Sequence, residues 1–467
     1  MQFEELTTID SETDLMEYYR AVSSPDLRLG IEWERSGIHR DTLRPVQYRE
    51  DGGYLAILKK LVSEAGWEIT DGHRDKIYEL KRGNALVTLE ADGRLELASS
   101  AKLNLHDLAR EFRIHANEVH EVSDFFNVGW LPTGWQPFHK NSEVKLLKKK
   151  RYHFLGEHFE KKAWESDMKH NNGLTSNFSY LDEANAIRKA QIAFRILPIV
   201  GAMFASAPLE SSVASGFLDL RRRSIFQYAP QRNKMPSNIL DADFSFQKWI
   251  EHYLELPVIL ITRPGRADID VKDKLTFRQW IKKGHLGIFP TFRDFDQHIK
   301  SVWSDIRLRP GYLEYRVADS VPFKLAMSVP ALVKGLIFDS TSWRTIEKLT
   351  KKWTYSDIVE TDKEAWKSGL KTEIGGKNLL WYAKQIIEIS NDALHKFDNT
   401  QAVDHTQDES VYLAPLKEQI FIKEVEICLF FRLVPLANSP NKIFHIWILK
   451  KQPKSKIHCA LKLTKES

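Results

Sequence analysis

The 467-residue chain has almost no cysteine; Cys428 and Cys459 are its only two, both near the C-terminus. A disulfide framework for the body is thereby excluded, and a reducing, cytoplasmic setting is expected. Long apolar runs are missing too. The longest, Ile196 to Ala207, is interrupted by Pro198 and Gly201 and falls short of the roughly 20 residues of a membrane span. The opening MQFEELTTID has neither a basic start nor an apolar centre, so no signal peptide is expected. Nor is there a broad basic face. The formal charge is +5, but residues 450–467 hold six lysines against one glutamate and carry the whole excess. Neither nucleic acid nor a membrane is an expected partner.

Several catalytic signatures are also absent. Gly375-Gly-Lys377 lacks P-loop spacing, and no HExxH, CxxC, GxSxG or strand-linked GxGxxG occurs. Zinc and nucleophilic-serine chemistry are therefore not expected, and sixteen histidines without ligand spacing do not change this.

What is present is a 42% hydrophobic, 28% charged composition that suits a large globular core. Helical periodicity runs over 54–65, 105–122, 183–204 and 379–396. In the third segment Ile187, Ala190, Phe194, Leu197, Gly201 and Phe204 form one stripe, Asp182 is the expected N-cap, and Pro198 is expected to kink the helix. Strand-like alternation covers 27–35 and, around an Asp92-Gly93 turn, 85–97. Strands between long helices, without regular βαβ alternation, give an α+β fold with an antiparallel sheet. One domain is expected over 1–420. The tail, 421–467, turns apolar and then lysine-rich, and both a packed hairpin and a loose extension remain open for it.

Three strand segments carry carboxylates in suggestive positions. In Leu29-Gly-Ile-Glu-Trp-Glu34 the period of two puts Glu32 and Glu34 on one face, opposite Ile31 and Trp33. Glu90 and Glu96 sit on opposite arms of the 85–97 hairpin, and Glu314 shares a face with Arg316 in Gly311-Tyr-Leu-Glu-Tyr-Arg316. Each segment alone fits a solvated surface or an ion pair. Together they place hard oxygen ligands on several rigid strands, the arrangement magnesium requires when it also holds nucleotide phosphates. Arg221-Arg222-Arg223, Arg232 and the basic run 145–151 are candidate cations for those phosphates, although lysine runs are most often solvated surface.

The order of these segments resembles the plant and proteobacterial type of the glutamate–cysteine ligase family across about residues 25–420. Leu29 to Glu34 looks like the family's G-x-E-x-E strand, followed by Arg44-Pro-Val-Gln-Tyr48. Thr88-Leu-Glu-Ala-Asp-Gly-Arg-Leu-Glu-Leu97 is similar to its T-L-E-P-G-G-Q-x-E-L hairpin. Thr175-Ser-Asn-Phe-Ser179, Ala205-Ser-Ala-Pro208 and Trp249 to Pro257 continue the series. Asp294 to His298, Arg307-Leu308 and Tyr312 to Arg316 with Ala318-Asp319 complete it.

The resemblance implies a curved antiparallel sheet forming a funnel-shaped site flanked by helices, in the style of glutamine synthetase. It implies magnesium held by Glu32, Glu34, Glu90, Glu96 and Glu314, with ATP as co-substrate. Arg222 and Arg316 would be catalytic, and Arg222, Arg232 and Asn177 would hold phosphate or substrate. The implied reaction is ligation of glutamate to cysteine, the first step of glutathione biosynthesis, by a monomer or homodimer. Departures at Arg94 (a family glutamine), Ser99-Ser-Ala101, Thr175 and Phe226 leave the amine acceptor open. Another amine, or a non-catalytic role binding nucleotide or a partner, stands as the alternative.

Overall fold

The computed structural model describes residues 4–263, 268–397 and 408–422, with the strand backbones of 431–433, 443–448 and 459–464. Its centre is a nine-stranded antiparallel sheet. The strands are β1 (Leu29–His39), β2 (Glu68–His73), β3 (Lys76–Arg82), β4 (Ala85–Leu89), β5 (Leu95–Ala98), β6 (Val128–Leu131), β7 (Gly173–Ser179), β8 (Ile306–Arg309) and β9 (Tyr312–Asp319). Their order is β8-β9-β7-β1-β5-β4-β3-β2, and β6 joins the far half of β1 over Ser36 to His39. Helix and antiparallel sheet are thus mixed as the sequence suggests. β1 is longer than the alternation signal, because Ser36 to His39 find a second partner in β6.

The sheet has a dry face and a polar face. Ile31, Trp33, Leu97, Leu174, Phe178, Leu313 and Tyr315 are buried in the main core. Helices cover this side. Phe112 of the Leu105–Phe125 helix sits 4.5 Å from Trp33, ring centre to ring centre. The Glu183–Phe204 helix packs on β9, and the Ser328–Ile337 helix packs on β7 and β1. Burial of this quality stabilises by roughly 1.5–3 kcal/mol per large apolar side chain.

The Glu183–Phe204 helix begins as expected, with the Asp182 carboxylate accepting from the Asn185 amide, and it continues through Pro198. Tyr54–Ala65 and Leu379–Leu394 are also helices, the latter ending two residues before the periodicity does. In the tail, 431–433, 443–448 and 459–464 pair with one another as a three-stranded antiparallel sheet. The rest of 423–467 lies outside the described residues.

Candidate active site

Residues paired directly across antiparallel strands point to the same face. Glu34 is paired with Glu96, and Glu96 with Thr88. Glu32 is paired with Thr175, and Glu314 with both Asn177 and Arg307. The polar face of β4, β5, β1, β7, β9 and β8 therefore carries all five predicted glutamates in one array. The turn that aims Glu90 is closed by the Gly93 amide donating to the Glu90 carbonyl at 2.9 Å. Gly93 has φ +97°, and a Cβ there would stand 2.9 Å from the Tyr54 ring, so glycine is required on both counts.

Each carboxylate has few partners. Glu34 accepts from the Gly173 amide at 2.8 Å, Glu32 from the Asn177 side-chain amide at 3.0 Å, and Glu96 from the Thr88 hydroxyl at 3.1 Å. Oxygens of Glu34, Glu90 and Glu96 all lie within 4.8 Å of one another. Arg94 approaches this trio, with Nε 3.6 Å from Glu34 and Nη2 3.7 Å from Glu90. Glu314 is better satisfied. Arg307 binds it at 2.5 Å, Arg316 lies 3.5 Å away and Arg309 3.8 Å away.

The electrostatics follow from this spacing. Burial first, then the charges of Glu90, Glu32 and Glu34, push Glu96 well above the usual carboxylate range. Glu32 is raised by burial and by Glu314. Glu34 is raised mainly by burial, with Arg94 pulling the other way. Glu314 moves downward, because Arg307, Arg309 and Arg316 outweigh its burial. Arg316 is held protonated against burial by Glu314, Glu32, Glu34 and Glu96. The Asn177 side-chain oxygen is buried without a partner beside Glu32. A tight set of carboxylate oxygens, a like-charge conflict and an unused amide oxygen fit a hard divalent cation such as magnesium.

A separate cavity of about 1420 Å³ has none of the five glutamates in its wall. Leu147, in its wall, donates its amide to the carbonyl of Ala91, next to Glu90, at 2.7 Å. Lys148, Lys149, Lys161, Lys272 and Arg232 also line it, with Tyr152 and Trp164 supplying aromatic surface.

Residues 28–421 match the model of glutamate–cysteine ligase family 2. The chain belongs to that family. Among individual relatives, chloroplastic glutamate–cysteine ligase of Arabidopsis thaliana is 28% identical over 376 residues, 79% of this chain and 70% of that protein. The enzyme of the same name from Brassica juncea is 27% identical over 376 residues, 79% of this chain and 71% of that protein. Among solved structures, glutamate–cysteine ligase of Francisella tularensis in complex with AMP is 12% identical, with a TM-score of 0.49, over 86% of this chain and 83% of that one. A bifunctional glutathione synthetase from Pasteurella multocida is 16% identical, with a TM-score of 0.41, and this chain spans only 53% of it.

Within this family member the predicted arginines separate. Arg316 is in the glutamate array. Arg222 is not brought there. Its Nε and Nη2 bind Asp305 at 2.8 and 2.9 Å, and its Nη1 and Nη2 bind Asp362 at 2.8 and 2.6 Å. The guanidinium is buried, and Gly201 makes room for it: a Cβ there would sit 2.4 Å from Nη1. Arg221 binds Asp319 at 2.6 Å and donates to the carbonyls of Arg316, Val317 and Ala318, where β9 is bulged. Arg232 lies in the cavity wall, donating to Ser301 Oγ at 2.8 Å and to the Pro257 carbonyl. Burial lowers it to about 9, and no carboxylate among the described residues pairs with it.

Sequence reasoning missed Arg307 and Arg309 as site cations. A signal existed, since Pro310-Gly311 marks a hairpin turn that folds Arg307 opposite Glu314. It treated Arg94 as a departure and not as a member of the site. Lys148 is exposed and Lys149 half-buried, in keeping with the surface expectation, and both also line the cavity. The side chains of Lys150 and Arg151 lie outside the described residues. No helix among the described residues is long and apolar enough to cross a membrane.

Proposed function

We propose that this chain joins the γ-carboxylate of glutamate to the amine of cysteine with consumption of ATP, the first step of glutathione biosynthesis. The observation that carries this reading is the under-partnered Glu34–Glu90–Glu96 set in a chain of this ligase family. Glu32, Glu34, Glu90, Glu96 and Glu314 would hold magnesium, which when bound would neutralise phosphate charge and orient the terminal phosphate. The cavity whose wall bonds to the Glu90 turn through Leu147 would take the nucleotide, with Arg232, which pairs with no carboxylate among the described residues, the cation available to a phosphate. The glutamate-bearing sheet face would be the wall of a funnel-shaped site, residues 1–420 the catalytic unit and 421–467 an appendage outside it.

The chemistry suits such a face. A carboxylate is a poor electrophile, so the γ-carboxylate of glutamate attacks the terminal phosphorus of ATP and ADP departs. The amine then attacks the acyl carbon of the γ-glutamyl phosphate, loses a proton and expels phosphate. No covalent side chain is needed. The protein contributes positioning and charge compensation, with Arg316 the residue placed to offset negative charge among the glutamates. Asn177 would orient Glu32 and offer its free oxygen to the ion or substrate. Arg222 has no part in this scheme, because its donors are committed to Asp305 and Asp362.

A cytosolic location would suit the low cysteine count. The acceptor is tested by incubating the full chain with magnesium, ATP and glutamate while varying the amine. Phosphate release and γ-glutamylcysteine formation only with cysteine are expected. Turnover with a different amine would move the chain to another carboxylate–amine ligation, and intact ATP with every amine would remove the enzymatic reading.

A further inference from the structure

Arg94 is the one cation built into the hairpin that carries Glu90 and Glu96, and its anchoring is unusual. Nη1 donates to Asp92 at 2.7 Å and to the Met168 carbonyl at 2.9 Å, and the residue is buried to 2% exposure. The Arg94 backbone amide also donates to Asp92, at 3.2 Å. These bonds hold the guanidinium on the side facing away from the carboxylates. Its other edge faces Glu34 and Glu90 without closing a hydrogen bond. Nε stops 3.6 Å from Glu34, is buried and has no hydrogen-bond partner, and Nη2 stops 3.7 Å from Glu90. A mobile arginine would close those gaps. This one is tethered just short of contact.

We propose that Arg94 is a fixed internal monocation that sets the divalent-ion affinity of the Glu34–Glu90–Glu96 position. The idea rests on the metal reading above. With the position empty, the guanidinium offsets part of the repulsion among three neighbouring carboxylates. With an ion arriving, its charge opposes a second cation held by two of the same carboxylates, and Asp92 and Met168 keep it from retreating. Free magnesium is therefore bound more weakly than three clustered carboxylates alone would bind it. Arg94 acts through Glu34 and Glu90 and is a positioning residue with an electrostatic effect.

The test is a calorimetric titration of magnesium, without nucleotide, into the full chain and its Arg94→Gln and Arg94→Lys variants. Removing a charge this close should tighten binding about tenfold or more in Arg94→Gln. Arg94→Lys, which keeps the charge and guards against a trivial folding defect, should stay within about threefold of wild type. Magnesium should also raise the melting temperature of Arg94→Gln more than that of wild type. Equal or weaker binding in Arg94→Gln, or tightening in Arg94→Lys to the same degree, overturns the proposal while leaving the metal reading standing. Absence of binding in wild type and both variants overturns the metal reading and this inference with it.

Discussion

Two charge clusters lie within a few residues of each other along β9, and they are built on opposite terms. In the first, Arg221 and Arg222 meet Asp319, Asp305 and Asp362 in direct bonds of 2.6–2.9 Å. Asp219 caps the helix that carries both arginines. In the second, on the polar face of the sheet, Glu32, Glu34 and Glu96 each accept one hydrogen bond from a neutral donor, and Arg94 stops 3.6 Å from Glu34. A cluster closed by its own counter-charges builds structure. One left short of positive charge is a place for something that brings it.

That contrast can be broken from either side. The largest expected effect is on the open cluster. Glu34→Gln should lower turnover by ~10⁴-fold or more, over 5 kcal/mol of barrier. Its unfolding transition should not weaken, because a buried like-charge conflict is relieved. A steady-state assay with parallel thermal unfolding checks both; retained activity would detach Glu34 from the chemistry. The closed cluster should respond in reverse. Arg222→Ala leaves two aspartates buried without a partner and should lose about 3–5 kcal/mol of stability in urea unfolding. Magnesium affinity of the folded fraction should be unchanged.

Asn177→Ala sharpens the contrast more gently. It removes the amide that orients Glu32 and should weaken magnesium binding about tenfold in calorimetry. The smallest effect is the pH dependence. Glu32, Glu34 and Glu96 hold protons more tightly folded than unfolded. Without an ion, stability should therefore fall as pH rises through their raised folded values, above the ordinary carboxylate range. Magnesium binds the ionised forms, so its stabilising effect should grow as pH rises above the ordinary carboxylate range. Melting curves with and without magnesium across that range measure it.

The open cluster was the more legible of the two in sequence. A strand's period of two is a short-range rule, so the shared face of Glu32 and Glu34 and the hairpin spacing of Glu90 and Glu96 could be read directly. The helix over Glu183–Phe204 was equally legible from its stripe and its Asp182 cap. The closed cluster was not legible. Arg222 finds Asp305 and Asp362 far along the chain, and no local pattern distinguishes a buried arginine from a phosphate-binding one. The same limit applied to Arg307, whose role depends on the β8–β9 register. The cavity was hidden because its walls come from segments far apart in the chain, 146–165, Arg232 and 257–274.

The central claim, that the Glu34–Glu90–Glu96 set is short of direct counter-charge and takes a divalent cation, is met most directly by titrating magnesium into the wild-type full chain and into Glu96→Gln, each with and without ATP. The account predicts saturable binding by wild type, tightened by ATP, and a loss of about tenfold or more in a variant that remains folded by circular dichroism. Equal magnesium affinity in the two proteins would contradict it.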